Sequence, residues 1–382
     1  MRWIFSFGVI AILVFAGAYF YIGLSLFGFF SRLFPDIKAV KFYLPFALIC
    51  CFFTFVNFLP HNLSFSGYAG SLWMAIILYL LIPLAASDIV RLVLFLAGKK
   101  LASFSFYAVA ASLLICASLS VYGLIHARSI KTVNYSLTLK ESSSEAGTPL
   151  RVVLVSDTHI GSVVGKKHIE RIVAKINANK PDIVCIAGDV FNGNPDSTDD
   201  IQGVIAALRA IASPVYACLG NHDVDRMSFS GGGTARIEEI LREAGITLLL
   251  DETLEIRDKL YLAGRKDARP IGAGGTRKTA AGMFSNLEGT IIALDHQPVD
   301  FPSLERAGVD LVFSGHTHNG QLFPANLITY FIFKKAGAVS YGYWRGQTTQ
   351  AVVTSGAGFW GPPMRVGTNS EIAVIDIKFG RD

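Results

Sequence analysis

Three stretches of this chain contain no charged side chain: Trp3 to Ser31, Phe42 to Ser87 and Leu101 to Ala127. About 20 apolar residues cross the hydrocarbon core of a bilayer as a helix, and only helices or closed barrels satisfy every backbone hydrogen bond there. The first and third runs each hold one span. The second is long enough for two, and Leu59 to Gly67 (LPHNLSFSG) breaks it with Pro, Asn and Gly, as a tight turn back into the membrane requires. The expectation is therefore four transmembrane helices, near residues 4–28, 42–59, 68–87 and 103–125. The first run is too long for a cleaved signal peptide, and three more spans follow it. Asp88 and Arg91, three apart at the end of the third span, read as an ion pair at the membrane interface rather than an intramembrane site.

The charge distribution agrees with that division. The chain is 52% hydrophobic and 16% charged over 382 residues, too apolar for an ordinary soluble protein. Residues 1–126 carry seven Lys/Arg against Asp36 and Asp88, a net charge of +5, which is also the charge of the whole chain. The remainder is neutral, with 27 basic and 27 acidic side chains. Excess positive charge thus flanks the membrane spans, and no nucleic-acid partner is expected. With four spans, the loops at 31–41 and 88–100 share a side and hold six Lys/Arg. The positive-inside rule then puts those loops in the cytoplasm and the C-terminal domain in the periplasm or its equivalent. Five cysteines suggest neither a zinc site nor a disulfide framework, and oligomeric state is not legible.

From Lys131 the pattern changes. Val133, Tyr135, Leu137 and Leu139 alternate as in a half-buried strand, and the polar ESSSEAGT that follows reads as a loop. The division expected is a membrane domain at 1–127, a linker and first strand at 128–150, and an α/β domain at 151–382. Apolar runs at Val152–Val155, Ile183–Ala187, Val215–Leu219, Ile291–Leu294 and Leu311–Phe313 read as buried, mainly parallel strands. The stretches 166–177, 201–211 and 235–244 have helical periodicity, and the end of the chain is richer in strands.

Each of those five strands ends in a potential metal ligand. The ends carry Asp157 and His159 (SDTH), Asp189 (GDV), Asn221, His222 and Asp223 (GNHD), His296 (DHQP), and His316 and His318 (GHTH). Carboxyl ends of parallel strands form one rim where ligands bind. Asp and Asn are common in turns and a single His proves little. Five such strand ends, each beside Gly, Ser or Pro, are hard to explain by packing.

These residues resemble the calcineurin-like metallophosphoesterases, whose signature runs D-x-H, G-D, G-N-H-[DE], H, G-H-x-H in this order. The resemblance covers residues 150–378 and implies a sandwich of two mixed sheets flanked by helices, preceded here by the all-α membrane region. The wording SGHTHNGQ, with TSGAGFWGPPMR and SEIAVIDI further on, is most similar to a membrane-associated bacterial branch, which usually has Gly in place of Asn319. The resemblance implies one metal held by Asp157, His159, Asp189 and His318, and a second by Asp189, Asn221, His296 and His316, with Asp189 bridging. Two such ions generate hydroxide near neutral pH for attack on a phosphorus centre. His222 would protonate the leaving oxygen or stabilise its charge, and Asp223 would either orient it or cap the following turn. A ligand set without thiolate suits Mn²⁺, Fe or Zn²⁺, and Mn²⁺ is expected from the family.

The substrate class implied is a phosphate ester: a phosphodiester, pyrophosphate or phosphomonoester. Protein phosphatases of the superfamily place an Arg soon after the bridging Asp, whereas this chain has Phe191 and Asn192. A lipid or nucleotide-linked substrate at the membrane is the expectation. Asn192, Asn319, Arg265, Arg277 and Lys278 are the candidate substrate contacts, the last three in a basic, Gly-rich loop (265–278). Beside it, Leu322 to Phe333 reads either as a buried helix or as an apolar wedge for acyl chains, and ends in Lys334 and Lys335. The alternative is a transporter or sensor carrying an accessory phosphoesterase-like module. The spans hold almost no ionisable residues, which disfavours it.

Overall fold

The computed structural model describes residues 2–56, 64–99, 103–140, 148–224, 234–268 and 277–380. The chain divides into two compact units, residues 1–124 and 125–382.

The first unit is helical throughout its described residues: α1 (Arg2–Leu33), α2 (Ala39–Phe55), α3 (Ser64–Leu96) and α4 (Phe104–Ala127). α1, α3 and α4 are long and apolar enough to cross a membrane, which makes this a multi-pass membrane protein. α2 has 17 residues and, at about 1.5 Å per residue, measures ~26 Å, at the short end of what spans a ~30 Å core. The four-span expectation therefore rests on α2. The turn expected before Ser64 lies largely outside the described residues. α3 runs past its expected end at 87, because Asp88 and Arg91 are accommodated inside the helix. Arg91 pairs with Asp88 at 3.1 Å and donates to Ser105 Oγ on α4 at 3.2 Å, while Tyr21 OH on α1 donates to Asp88 at 2.6 Å. Trp73 Nε1 likewise donates to Tyr19 OH, 2.6 Å from Thr54 Oγ1, so polar contacts join the helices where no hydrophobic driving force exists between them.

The second unit holds twelve described strands in two six-stranded sheets, ordered β1-β12-β2-β3-β4-β5 and β10-β11-β9-β8-β7-β6. In the first, β2 (Leu150–Val155), β3 (Ile183–Ala187), β4 (Val215–Cys218) and β5 (Ile246–Leu248) are parallel. In the second, β7 (Leu260–Gly264), β8 (Thr290–Leu294), β9 (Leu311–Ser314) and β11 (Gln350–Val353) are parallel, with β6 (Glu252–Arg257) and β10 (Gly342–Arg345) antiparallel at the edges. β1 (Lys131–Lys140) pairs in parallel with β12 (Glu371–Gly380) over ten residues, which ties the segment after α4 into the first sheet.

Strand alternation explains the layering. Val152, Leu154, Cys185 and Ala187 face inward onto Leu262, Ile292, Leu294 and Phe313 of the opposing sheet. Their neighbours Val153, Val155, Val184 and Ile186 face out, under α5 (Lys166–Ala178), α6 (Ile201–Arg209) and α7 (Ala235–Glu243). On the second sheet α8 (Ala280–Phe284) and α9 (Phe301–Arg306) cover Ala263, Ile291, Ala293 and Val312. Parallel strands apolar on both faces need cover on both, and this arrangement supplies it. The fold is the expected sandwich of two mixed sheets, helices on the outer faces.

Candidate dinuclear metal centre

The five predicted strand ends do converge, but not on the rim of one sheet: β2, β3 and β4 belong to the first sheet, β8 and β9 to the second. The site forms where the carboxyl ends of both sheets meet, and hydrogen bonds join the sheets there. His296 Nδ1 donates to the Ala187 carbonyl at 2.8 Å, and His316 N donates to Asp157 Oδ2 at 3.0 Å. His222 N donates to Asp189 Oδ1 at 2.8 Å.

Local sequence permits this crowding. Asp157, His159, Asp189, His316 and His318 all have φ between 48° and 71°, half of the ten non-glycine residues with positive φ among those described. Such conformations cost about 1–3 kcal/mol each and persist only where surrounding structure enforces them. The glycine of GNHD is required by approach: a Cβ on Gly220 would lie 2.2 Å from Asp189 Oδ1. The glycine of GHTH is required likewise, since a Cβ on Gly315 would lie 2.2 Å from Asp157 Oδ2.

Two groups of ligand atoms result, Asp157, His159 and His318 in one and Asp189, His296 and His316 in the other. In the first, His159 Nε2 lies 3.0 Å from His318 Nε2 and 3.8 Å from Asp157 Oδ1, and His318 Nε2 lies 3.4 Å from Asp157 Oδ1. In the second, His296 Nε2 lies 3.2 Å from Asp189 Oδ2. Asn221 Oδ1 joins it, 2.9 Å from His316 Nδ1. Asp189 Oδ2 is also 3.7 Å from His159 Nε2, so this carboxylate faces both groups.

These donors fit divalent ions. Metal–ligand bonds of about 2.1 Å at right angles place neighbouring donors ~3.0 Å apart, the separation of the His159 and His318 nitrogens. His296 Nε2 is fully buried without a hydrogen-bond partner, while its Nδ1–H is held by a carbonyl. That bond selects the tautomer whose Nε2 lone pair is free for a metal. Burial depresses His159 to about 3 and His316 to about 4, and with the Arg365 charge takes His318 well below its ordinary value, so all three offer neutral imidazoles. His296 goes the other way. Burial opposes its protonation, but the adjacent Asp189 outweighs burial and raises it, while Asp189 is lowered despite its own burial chiefly by His296. Without an ion these two neutralise each other, and a bound cation takes the place of that proton.

His222 lies over the first group, its ring 4.9 Å from His159 and 5.6 Å from the exposed Trp360. Asp223 does not orient it. The buried carboxylate accepts from the backbone N–H groups of Gly220, Val190 and Phe191, clamping the GD and GNHD turns together, and burial with the Asp189 charge raises it to about 7. Asp223 is therefore a positioning residue in a third role, since its bonds reach back to Gly220, Val190 and Phe191 rather than on to the turn after it. Of the other histidines, His168 bonds the Ala357 carbonyl and His126 meets Asn369, while His61 lies outside the described residues.

The candidate substrate contacts fare differently. Asn192 is exposed and follows Phe191 beside the centre. Asn319 adopts φ 49° and ψ 33°, the left-handed conformation that Gly and Asn tolerate best. Arg265 is buried, and its guanidinium donates to Asp295 at 2.8 Å and Asp300 at 2.9 Å; Arg277 pairs with the same two carboxylates. Lys278 Nζ donates to the Asp251 carbonyl. At the described ends of the loop these basic groups therefore sit in an internal network with Asp295, which is buried, Asp300, which is half-buried, and the Asp251 carbonyl, rather than in a free cationic grip. Residues 269–276 of that loop lie outside the described residues.

Sequence reasoning missed Arg365 and Trp360. Arg365 is fully buried and donates to the carbonyls of His318, Ser355, Gly356 and Gly358, fixing the last metal-binding turn. Burial lowers it to about 10, so it remains cationic at neutral pH. Both lie in the Gly/Pro-rich stretch TSGAGFWGPPMR, whose wording carried part of the family resemblance without pointing to either residue.

A model of the calcineurin-like phosphoesterase family matches residues 150–320. A transmembrane protein with metallophosphoesterase domain from Danio rerio is 31% identical over 356 residues, 86% of this chain and 76% of that protein. This chain belongs to the calcineurin-like phosphoesterases. It is a membrane-anchored, metal-dependent phosphoric ester hydrolase with two candidate metal-binding groups. An uncharacterized metallophosphoesterase of Campylobacter jejuni is 29% identical over 98% of both chains. The architecture therefore occurs in an animal as well as in bacteria, wider than the bacterial branch its wording resembles. Among solved structures, a putative 5'-nucleotidase from Staphylococcus aureus matches 62% of this phosphoesterase and 55% of that chain at 12% identity and a TM-score of 0.37, too slight a likeness to bear on substrate.

Proposed function

We propose that this phosphoesterase hydrolyses a phosphodiester or pyrophosphate of an amphiphilic, lipid- or nucleotide-linked substrate, with Mn²⁺ as its metal. The observation that carries the hydrolytic part is the placement of Asp189, facing both ligand groups with His222 N bonded to its Oδ1. Asp157, His159, Asp189 and His318 would hold one ion, and Asp189, Asn221, His296 and His316 the other. Two ions held there would supply Lewis acidity toward a phosphoryl oxygen and toward water near neutral pH. His222, half-buried above the first group, supplies a proton to the departing oxygen, and Trp360 walls one side of its ring. Asp223 keeps the two turns in register throughout. Placement on a chain with transmembrane helices favours a substrate presented at a membrane.

The test uses the full chain in detergent with added Mn²⁺ and bis(p-nitrophenyl) phosphate. Asp189→Asn should abolish turnover and lower bound metal, whereas His222→Ala should cut turnover by roughly 10²-fold or more with metal retained. Near-normal activity of Asp189→Asn would refute the assignment. We further propose that the catalytic unit lies outside the cytoplasm, on the strength of the six Lys/Arg around residues 31–41 and 88–100. A reporter fused after Asp382 that is active only in the cytoplasm would reverse this orientation.

A further inference from the structure

The helix that follows the metal-binding turn, α10 (Ala325–Lys335), has no buried residue. Leu327, Ile328, Tyr330, Phe331 and Ile332 are between 48% and 64% exposed. At about 100° per residue these five share one arc of ~200°, while the half-buried Asn326, Thr329 and Phe333 share the narrower remainder. Helices on protein surfaces turn their apolar side inward. Here the inward face is largely polar and the outward face apolar. Phe323 (46% exposed) precedes the helix, and Trp360 (53% exposed) is tied to the connecting segment through two hydrogen bonds with the side chain of Gln321, one donated by Gln321 Nε2 and one accepted by its Oε1. Lys334 and Lys335 end the helix, both exposed.

We propose that α10, with Phe323 and Trp360, is an interfacial element that docks the catalytic domain onto a lipid bilayer with anionic headgroups. The apolar arc enters the headgroup–acyl boundary, the lysine pair meets lipid phosphates, and the aromatic residues suit that depth. The occupant follows from the chain. Three helices long enough to cross a membrane keep a bilayer within reach of this domain at all times. A second copy of the chain is the poorer fit. An eleven-residue helix offers on the order of a few hundred Å² of apolar surface, short of the ~800 Å² per partner of a stable interface. The element is coupled to the metal centre by close packing: a Cβ on Gly320 would lie 2.4 Å from Asn326 N, and Phe323 N donates to the Val366 carbonyl one residue from Arg365. Docking α10 therefore sets the His318 turn at the level of lipid headgroups.

The inference concerns lipid contact and is tested without measuring hydrolysis. The full chain carrying Cys51→Ala, which removes the exposed cysteine among the free ones, receives an environment-sensitive nitrobenzoxadiazole label at Ile332→Cys. It is reconstituted in phosphatidylcholine–phosphatidylglycerol vesicles. The label should emit at shorter wavelength than in the detergent-free urea-unfolded chain. A spin-labelled lipid with its nitroxide ~5–10 Å below the headgroups should quench it more strongly than one labelled at the chain end. A label at Thr253→Cys, exposed on β6, should be unaffected by either lipid. Ile328→Asp together with Phe331→Asp should abolish the quenching while bound metal is retained. An Ile332→Cys label that stays water-like in vesicles would overturn the proposal. So would one that is shielded in proportion to protein density without lipid quenching, which would assign the face to a second copy.

Discussion

Substituting Gly220 by Ala tests whether the metal centre depends on the close approach of its turns. The added Cβ would lie 2.2 Å from Asp189 Oδ1, 2.6 Å from Asp189 N and 2.8 Å from His296 Cδ2. Non-bonded contacts of this kind settle beyond about 3 Å, so either the GNHD turn or the Asp189 carboxylate must move by roughly 1 Å. Neither is free to do so. Asp189 Oδ1 accepts from His222 N, and Gly220 N donates to Asp223. Overpacking a rigid site costs about 1–3 kcal/mol, which in a unit of this size lowers Tm by roughly 2–12 °C. Catalysis should fall further, since a displacement of ~1 Å in a group that positions reactants costs about 10²-fold. The assay pairs turnover of bis(p-nitrophenyl) phosphate in Mn²⁺ with metal content and thermal unfolding of the same preparation. A variant within threefold of the parent in turnover would refute the reasoning, because the glycine would then be tolerated rather than required.

Two further predictions concern stability. Arg365→Lys keeps the charge but cannot reach the four carbonyls that the guanidinium serves. At least two would lose their donors, at about 1–3 kcal/mol each, and Tm should fall by roughly 4–24 °C; a fall under about 2 °C would deny Arg365 its structural role. Asp310, half-buried just before β9, accepts from Ile291 N, and desolvation raises it to about 6. Because its folded value exceeds its unfolded one, its contribution is fully present below pH ~4 and is lost as pH rises through 6, at a cost of about 3 kcal/mol above that. Asp310→Asn should therefore be the more stable protein above pH 6 and indistinguishable below pH 4, as chemical denaturation at both values would show.

Residue types and their spacing along the chain determined much of this phosphoesterase. Charge-free runs announce membrane helices because unpaired charge is expelled from lipid, and short apolar runs ending in SDTH, GDV, GNHD, DHQP and GHTH announce buried strands with ligands at their ends. Those features are local, the ligand motifs legible within about ten residues and the membrane runs within about 20 to 30. What the tertiary structure decided involves partners distant in sequence. Strand alternation does not say which sheet a strand joins, so the meeting of two sheets at the centre was not visible in the five motifs. Asp223 was expected to cap or to orient, and the positions of the Val190 and Phe191 amides give it a different role, the clamping of two turns distant in sequence. Arg265 and Arg277 looked available for substrate because their sequence neighbours are basic; Asp295 and Asp300, about 20 to 35 residues away, claim them. Leu322 to Phe333 was ambiguous for the same reason. An apolar helix has the same sequence whether a protein core or a bilayer covers it, and only the exposure of Phe331 and Ile332 distinguishes a face left for something outside the fold.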